Sequence, residues 1–387
     1  MPTFNGILKS KLHKTGTSIF AVMSGLASEH NAINLSQGFP NFEISQELIS
    51  LVNKFMKQGL NQYAPMPGIM PLRERIAEKI EKLYSAKYNP ETEITITAGG
   101  TQAIYTAIAA SISEKDEVII FDPSYDSYAP AVELAGGIPV HVNLKYPDFS
   151  IDWNDVKKLL TQRTRMIMIN TPHNPSGAVL NAKDMQMLEK LTNKTDILIL
   201  SDEVYEHVIF DGYEHQSVTR FPKLAERSFV VYSFGKTFHT TGWKMGYCIA
   251  PANLTAEFRK VHQFMVFSAN TPVQHAYAEF MKNESNYTGI EKFYQQKRDY
   301  FLKITKDSKF KPLACSGSYF QLMDYSKISK EKDKDFAVRL TKENGVASIP
   351  VSAFYKNSLE NKLLRFCFAK DNETLEKAAE KLIKVGK

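Results

Sequence analysis

The chain has 387 residues, 43% of them hydrophobic and 23% charged, with a net charge of +6 spread along its length. That size and balance fit a globular protein of two domains, or one large domain with an appended lobe. No basic block points to nucleic acid, no apolar run reaches the roughly 20 residues of a membrane span, and the three cysteines lack metal-ligand spacing. Reduced thiols and the absence of an apolar secretory stretch in Met1–Thr17 lead us to expect a cytoplasmic protein.

From about residue 93 to 250, short apolar runs alternate with helix-length segments. Strands are expected at Ile94–Thr97, Glu117–Phe121, Ile138–Leu144, Met166–Ile169, Ile197–Leu200, Phe229–Tyr232 and Tyr247–Ile249. Helices are expected over Thr101–Ser113 and Tyr125–Leu134. The strand runs are continuously apolar, as a mostly parallel sheet covered by helices on both faces requires. After Pro251 come amphipathic stretches over Leu254–Phe267, Pro272–Lys282 and Tyr287–Lys306, then strands at Tyr319–Met323 and Leu363–Phe368. A closing helix carries Leu375, Ala378, Ala379, Leu382 and Ile383 on one face. The expected architecture is α/β: a large domain over residues 41–282, its mostly parallel sheet between helices, and a smaller α+β domain built from an N-terminal arm (1–40) and residues 283–387.

In an open parallel sheet, ligand-binding groups gather beyond the carboxyl ends of the strands. Gly99-Gly100-Thr101-Gln102 stands there and opens a helix, as either a phosphate cup or a plain tight turn would. Asp122-Pro123-Ser124-Tyr125 offers a ring that faces a ligand or fills the core. Asn170-Thr171-Pro172-His173-Asn174-Pro175-Ser176-Gly177 reads as an ordinary turn or as a rigid carrier of two amides. Asp202, in Ser201-Asp202-Glu203-Val204-Tyr205, is a helix cap or a functional carboxylate, with Tyr205 near enough to share its ligand. Glu203 and Glu206 read as structural. Arg365 interrupts the apolar run Leu363–Phe368 and must find an anion, from the protein or from a ligand. His207 and His215 have no third ligand nearby, so no metal site is expected; His173 and His239 read as structural.

Lys236 follows the apolar run Phe229–Tyr232, where desolvation lowers a lysine's pKa and suits it to bond a carbonyl. Two other motifs compete for Ser233-Phe234-Gly235-Lys236-Thr237 and fail on spacing. A phosphate-binding P-loop needs a glycine where Val230 stands. The Ser-x-x-Lys acyl-enzyme pattern lacks its partners: Ser201-Asp202-Glu203 ends in the wrong residue, and the Lys-Thr-Gly at Lys14-Thr15-Gly16 lies far upstream.

Together these residues ask for a ligand with a phosphate, a flat ring and a carbonyl, which describes pyridoxal 5′-phosphate (PLP). The order Asn-Pro-x-Gly, Asp-x-x-Tyr, Ser-x-x-Lys with a later Lys, then Arg resembles the fold-type I class I and II aminotransferases over nearly the whole chain. Asn34–Pro40, Asn61–Pro65 and Phe121–Pro130 are similar to the branch of methionine and kynurenine/glutamine enzymes. The resemblance implies PLP-dependent transfer of an amino group from an L-amino acid to a 2-oxo acid. Methionine is the foremost donor, with aromatic or glutamine-like amino acids besides.

It further implies that Lys236 is the covalent lysine and proton carrier, and that Asp202 pairs with the pyridine nitrogen. Tyr205 and Asn174 would bond the ring oxygen, and Tyr125 would stack on the ring. Gly100, Thr101, Gln102, Ser233 and Lys244 would hold the phosphate. Arg365 would clamp the substrate's α-carboxylate, with Gly38 and Asn170 as supporting contacts. Tyr63 would reach the phosphate of a neighbouring subunit, implying a homodimer with shared sites. Phe20, Phe39, Tyr63 and Tyr125 make the expected side-chain pocket aromatic and apolar. The alternatives are a cysteine-conjugate β-lyase of the same chemistry and a catalytically silent binding protein of the same fold; the intact Asn174, Asp202, Tyr205, Lys236 and Arg365 argue against the second.

Overall fold

A computed structural model describes residues 2–13 and 15–386; of the expected arm and small domain, Met1, Lys14 and Lys387 lie outside the described residues. Its principal sheet has seven strands in the order Ile94–Thr97, Gly246–Ile249, Ser228–Ser233, Leu198–Asp202, Thr164–Asn170, Glu117–Asp122 and Ile138–Asn143. All neighbours run parallel except Gly246–Ile249, which is antiparallel to the strand on either side.

The continuous apolar runs follow from two covered faces. Ile167, Ile169, Ile199 and Val230 enter the core on one side of the sheet. Their neighbours Met166, Met168, Leu198, Leu200, Phe229 and Val231 enter a separate core on the other. Alternation along a strand sends successive side chains to opposite faces, so both sets must be apolar.

Three strands end later than their hydropathy indicates. Asn170, Asp202 and Ser233 are each the last residue of a strand, polar but still in the ladder: Asn170 pairs with Asp202, Asp202 with Val231, and Ser233 with Gly246. Asp202 is therefore a strand terminus, and the chain after it turns without forming a helix, which removes the capping alternative. Helix Gly100–Ser111 starts directly after Gly99, whose φ is +85°.

A second, antiparallel sheet of four strands contains Ile349–Pro350, Leu363–Cys367, Phe320–Asp324 and Lys311–Pro312. Ile33–Asn34 pairs in parallel with Val346–Ala347, and helix Ile19–Glu29 packs on helix Asp333–Asn344. The expected amphipathic stretches form helices Ala252–Met265, Thr271–Phe280 and Ile290–Thr305. The closing helix, Asn372–Leu382, buries Leu375, Ala378, Ala379 and Leu382, and Ile383 lies just past its end. The two sheets are stitched together by main chain: Gly177 O accepts from Ser316 N at 2.9 Å and from Gly317 N at 2.8 Å. Among the described residues no helix is long and apolar enough to cross a membrane.

Behind the strand ends lies a buried polar network. Lys79 pairs with Glu206, which also accepts from Tyr84 Oη at 2.6 Å. Glu203 accepts from Ser201 Oγ at 2.8 Å, Tyr232 Oη at 3.0 Å and Val218 N at 3.0 Å, and lies 2.9 Å from His215 Nε2. Glu203 and Glu206 are structural.

Gly246 is where the sheet comes closest to the helix start. A Cβ there would stand 2.6 Å from Tyr232 O and 3.0 Å from Gly100 N, both main-chain atoms. We expect Gly246→Ala to destabilise the protein by about 1–3 kcal/mol through overpacking, measured as a lower urea midpoint with unchanged slope.

Candidate active site

The ends of the central strands, the start of helix Gly100–Ser111 and strand Leu363–Cys367 face one cavity. Asn170 organises its rim. Its Nδ2 donates to Asp202 O at 2.9 Å and its Oδ1 accepts from Asn174 N at 2.8 Å, so one amide ties a strand end to the loop beyond it. Asn174 Oδ1 in turn accepts from Arg365 Nη1 at 2.8 Å.

Arg365 is fully buried, and its Nη2 donates to Ser36 O at 2.8 Å while Nε has no partner. Its guanidinium carbon lies 3.8 Å from the centre of the Phe320 ring, 5.1 Å from Phe20 and 5.2 Å from Phe354. No carboxylate among the described residues forms an ion pair with it; its hydrogen-bond acceptors are the Asn174 and Ser36 oxygens. Burial pushes its pKa down to about 10.

Lys236 sits in the single helical turn Phe234–Thr237 that follows strand Ser228–Ser233. Its Nζ donates to Tyr319 Oη at 2.8 Å and to Gly38 O at 3.3 Å. Burial, reinforced by the charges of Lys244 and Arg365, brings its pKa down to about 8. Asp202 moves the opposite way: burial raises its pKa to about 6, against hydrogen bonds from Tyr128 Oη to Oδ2 and from Val204 N to Oδ1. Each shift has the sign expected of an ionisable group withdrawn from water.

At the other end of the cavity, Gly100, Thr101, Ser233 and Lys244 come together. Lys244 takes a left-handed φ of +54°, and its Nζ would lie 3.6 Å from a Cβ built on Gly99, over the helix start. Thr101 Oγ1 is 3.5 Å from Tyr125 Oη, and the Tyr125 ring meets Tyr128 edge-on at 5.6 Å. Tyr125, Tyr205, Gly38 and Phe20 also line the cavity.

Three expected residues stand elsewhere. The Gln102 side chain accepts from Ala98 N at 2.9 Å and donates to Thr106 Oγ1 at 2.5 Å, so its carboxamide is engaged in fixing the helix start. Tyr63 is 82% exposed, edge-on to Phe267 at 5.2 Å and outside this chain's cavity. Phe39 is likewise outside, beneath the Lys370 ammonium at 4.2 Å; the aromatic wall comes from Phe20, Tyr125 and Phe320 instead. His173 is buried against Ser176 Oγ at 2.6 Å and His239 packs edge-on to Phe42 at 4.8 Å, both pushed down to about pKa 4 by burial. Motif reading passes over Tyr128 and Phe320, which line the cavity, and Tyr319, which bonds Lys236. Tyr128 lies three residues after Tyr125 within Phe121–Pro130, whereas no local signal marks Tyr319 and Phe320.

These residues fit PLP on structural grounds: a buried lysine of lowered pKa, a buried carboxylate lacking a cationic partner, and a helix start overhung by an ammonium group. Fold and site together define a PLP-dependent transferase of amino groups. The chain belongs to the class I and II aminotransferases, whose family model matches residues 30–382.

It is 49% identical over 377 residues to the methionine aminotransferase of Escherichia coli, covering 97% of this chain and 98% of that one. A crystal structure of an Escherichia coli protein with methionine aminotransferase function superposes with a TM-score of 0.95 at 48% identity, covering 98% of this chain and 99% of the other. Human kynurenine–oxoglutarate transaminase 1 is 33% identical over 399 residues, covering 93% of each chain.

The lowered pKa of Lys236 has a direct consequence. The amine is neutral above its pKa, so covalent capture of PLP by the apoenzyme should accelerate with rising pH. We expect its rate, followed by visible absorbance, to be half-maximal near pH 8, well below the roughly 10.4 of an ordinary lysine.

Proposed function

We propose that the protein transfers the amino group of methionine and related uncharged amino acids to a 2-oxo acid, using PLP held by the residues of this cavity. The observation that carries the reading is the convergence of Lys236, Asp202 and Arg365 on one cavity. Methionine as donor is supported by the Escherichia coli relative and by a wall of Phe20, Phe320 and Tyr125, since a thioether packs well against aromatic rings.

When bound, PLP supplies a conjugated ring that accepts the electron pair left at the substrate's Cα. Asp202, fixed by Tyr128, would pair with the pyridine nitrogen and keep it protonated. Tyr205 and Asn174 would hold the ring oxygen, and Tyr125 would cover the ring. Gly100, Thr101 and Gln102 offer main-chain N–H groups to the phosphate, with the Ser233 hydroxyl and the Lys244 charge completing its binding. Arg365, whose Nε has no protein partner, binds the α-carboxylate, oriented by Asn174 and Ser36 and supported by Asn170 and Gly38. Lys236 Nζ would carry the proton from the substrate's Cα to the cofactor's C4′, a task suited to an amine that titrates near pH 8.

The division into an arm (1–40), a large domain (41–282) and a small domain (283–387) belongs to the same reading, as does a homodimer. Tyr63 and Phe267, whose rings meet edge-on at 5.2 Å, and Phe264 are exposed aromatic side chains of the kind that subunit interfaces cover. A cytoplasmic location fits three buried free cysteines. A second donor class, aromatic amino acids, is favoured by the human kynurenine transaminase relative and by the same rings.

A panel of amino-acid and 2-oxo-acid pairs tests the substrate, methionine being expected to give the highest kcat/KM. Pyruvate released from a cysteine conjugate without any acceptor would move the reading to a β-lyase. After borohydride reduction and denaturation, Lys236→Ala should retain no covalently attached pyridoxyl group, whereas the wild type should, and the variant should lose at least about 10²–10⁴-fold in turnover; undiminished turnover would sink the assignment. Arg365→Lys should cost about 10- to 100-fold in kcat/KM, chiefly through KM, because an ammonium cannot reproduce the planar fork.

A further inference from the structure

The Tyr319 hydroxyl stands between two groups of the site. Its oxygen lies 2.5 Å from Gly38 O and 2.8 Å from Lys236 Nζ, and Lys236 Nζ lies 3.3 Å from Gly38 O. A carbonyl oxygen carries no proton, so two oxygens approach this closely only with the tyrosine's proton between them. Tyrosine has one such proton, and toward Lys236 it therefore only accepts. The two acceptors are only 2.5 Å apart and so lie on the same side of Lys236 Nζ, where they confine its N–H donation. Among the described residues Nζ makes no other hydrogen bond, and Lys236 lines the cavity.

The hydroxyl is held rigidly enough for this. Tyr319 is fully buried, edge-on to Tyr205 at 5.1 Å and to Phe320 at 4.9 Å, and tilted against Tyr294 at 5.6 Å. It lies in the segment entering strand Phe320–Asp324, whereas Lys236 comes from the principal sheet, so the contact joins the two sheets at the reacting amine.

We propose that Tyr319 is a positioning residue for Lys236: together with Gly38 O it anchors the free amine from one side and so holds Nζ at the cavity for bonding to the ligand. The inference rests on Lys236 being the lysine that bonds PLP.

Tyr319→Phe removes the hydroxyl and keeps the ring. Two measurements on the apoenzyme separate positioning from folding. The first is the rate of covalent PLP capture, followed by absorbance and located by borohydride trapping and peptide mapping. The second is equilibrium binding of pyridoxamine 5′-phosphate, which carries the same ring and phosphate but forms no bond to lysine. Capture should slow about tenfold, the loss expected for one hydrogen bond, while pyridoxamine 5′-phosphate affinity changes less than about twofold. An unchanged capture rate overturns the inference, and so does a parallel fall in both readings, including failure to fold, which would make Tyr319 structural. Trapping of wild-type PLP on a lysine other than Lys236 would instead sink the reading on which it rests.

Discussion

The pairing of Asn170 with Asp202 at the ends of two adjacent buried strands sets the rest of the site. With that register, Asn170 Nδ2 holds the carbonyl of Asp202 while its Oδ1 holds the amide of Asn174, so a strand end and a loop become one rigid piece. Asn174 then fixes Arg365, which arrives from the other sheet. A slip of one residue in this register would send every side chain of the strand to the opposite face. The separate cores on the two faces make such a slip costly, because each accepts only its own half of the apolar residues. Precision at the ligand end is thus a by-product of burial along the strands.

Two polar groupings share the interior and differ in how they are satisfied. Glu206 bonds Lys79 and Tyr84, and Glu203 accepts from Ser201, Tyr232 and the Val218 amide, so each of these carboxylates is held by protein donors. Asp202, Lys236 and Arg365 do not neutralise one another. Their ionisation equilibria are displaced toward the uncharged forms by burial, and Arg365 Nε is left without a partner. Leaving such groups short of partners costs folding free energy. In the proposed reading, a ring nitrogen, a carbonyl and a carboxylate arriving with ligands would offset that cost.

Much of this was legible from residue order because the chemistry lies where hydropathy changes. Strands read as continuous apolar runs, and the polar residue after each run marked Asn170, Asp202 and Ser233. The same hydropathy put the strand ends one or two residues early, since a polar side chain in the last ladder position looks like the start of a loop. Lys236 and Arg365 stood out as charges beside apolar runs. Residues whose importance comes from distant partners were not legible. Tyr319 reads as one more apolar strand residue until the fold brings it to Lys236. The Gln102 side chain is spent on Ala98 and Thr106, so only its main-chain N–H is left for a ligand, a distinction that residue order does not show. Phe39 and Phe320 are indistinguishable by type; position in the fold gives the cavity wall to Phe320.

Part of the joint between the sheets is made by main-chain atoms alone. Gly177 O accepts from two successive amides, at 316 and 317, and Ser316 O accepts from Phe210 N at 2.9 Å. Bonds of this kind do not depend on which side chain a residue carries, so the surrounding loops are free to drift in sequence while Asn174 and Arg365 keep their separation. The exception is Gly177, at φ +76°, where an added Cβ would meet Cys315 Sγ at 2.8 Å. Evolutionary freedom in the joint and precision in the site are therefore compatible, with one glycine as the position where they meet.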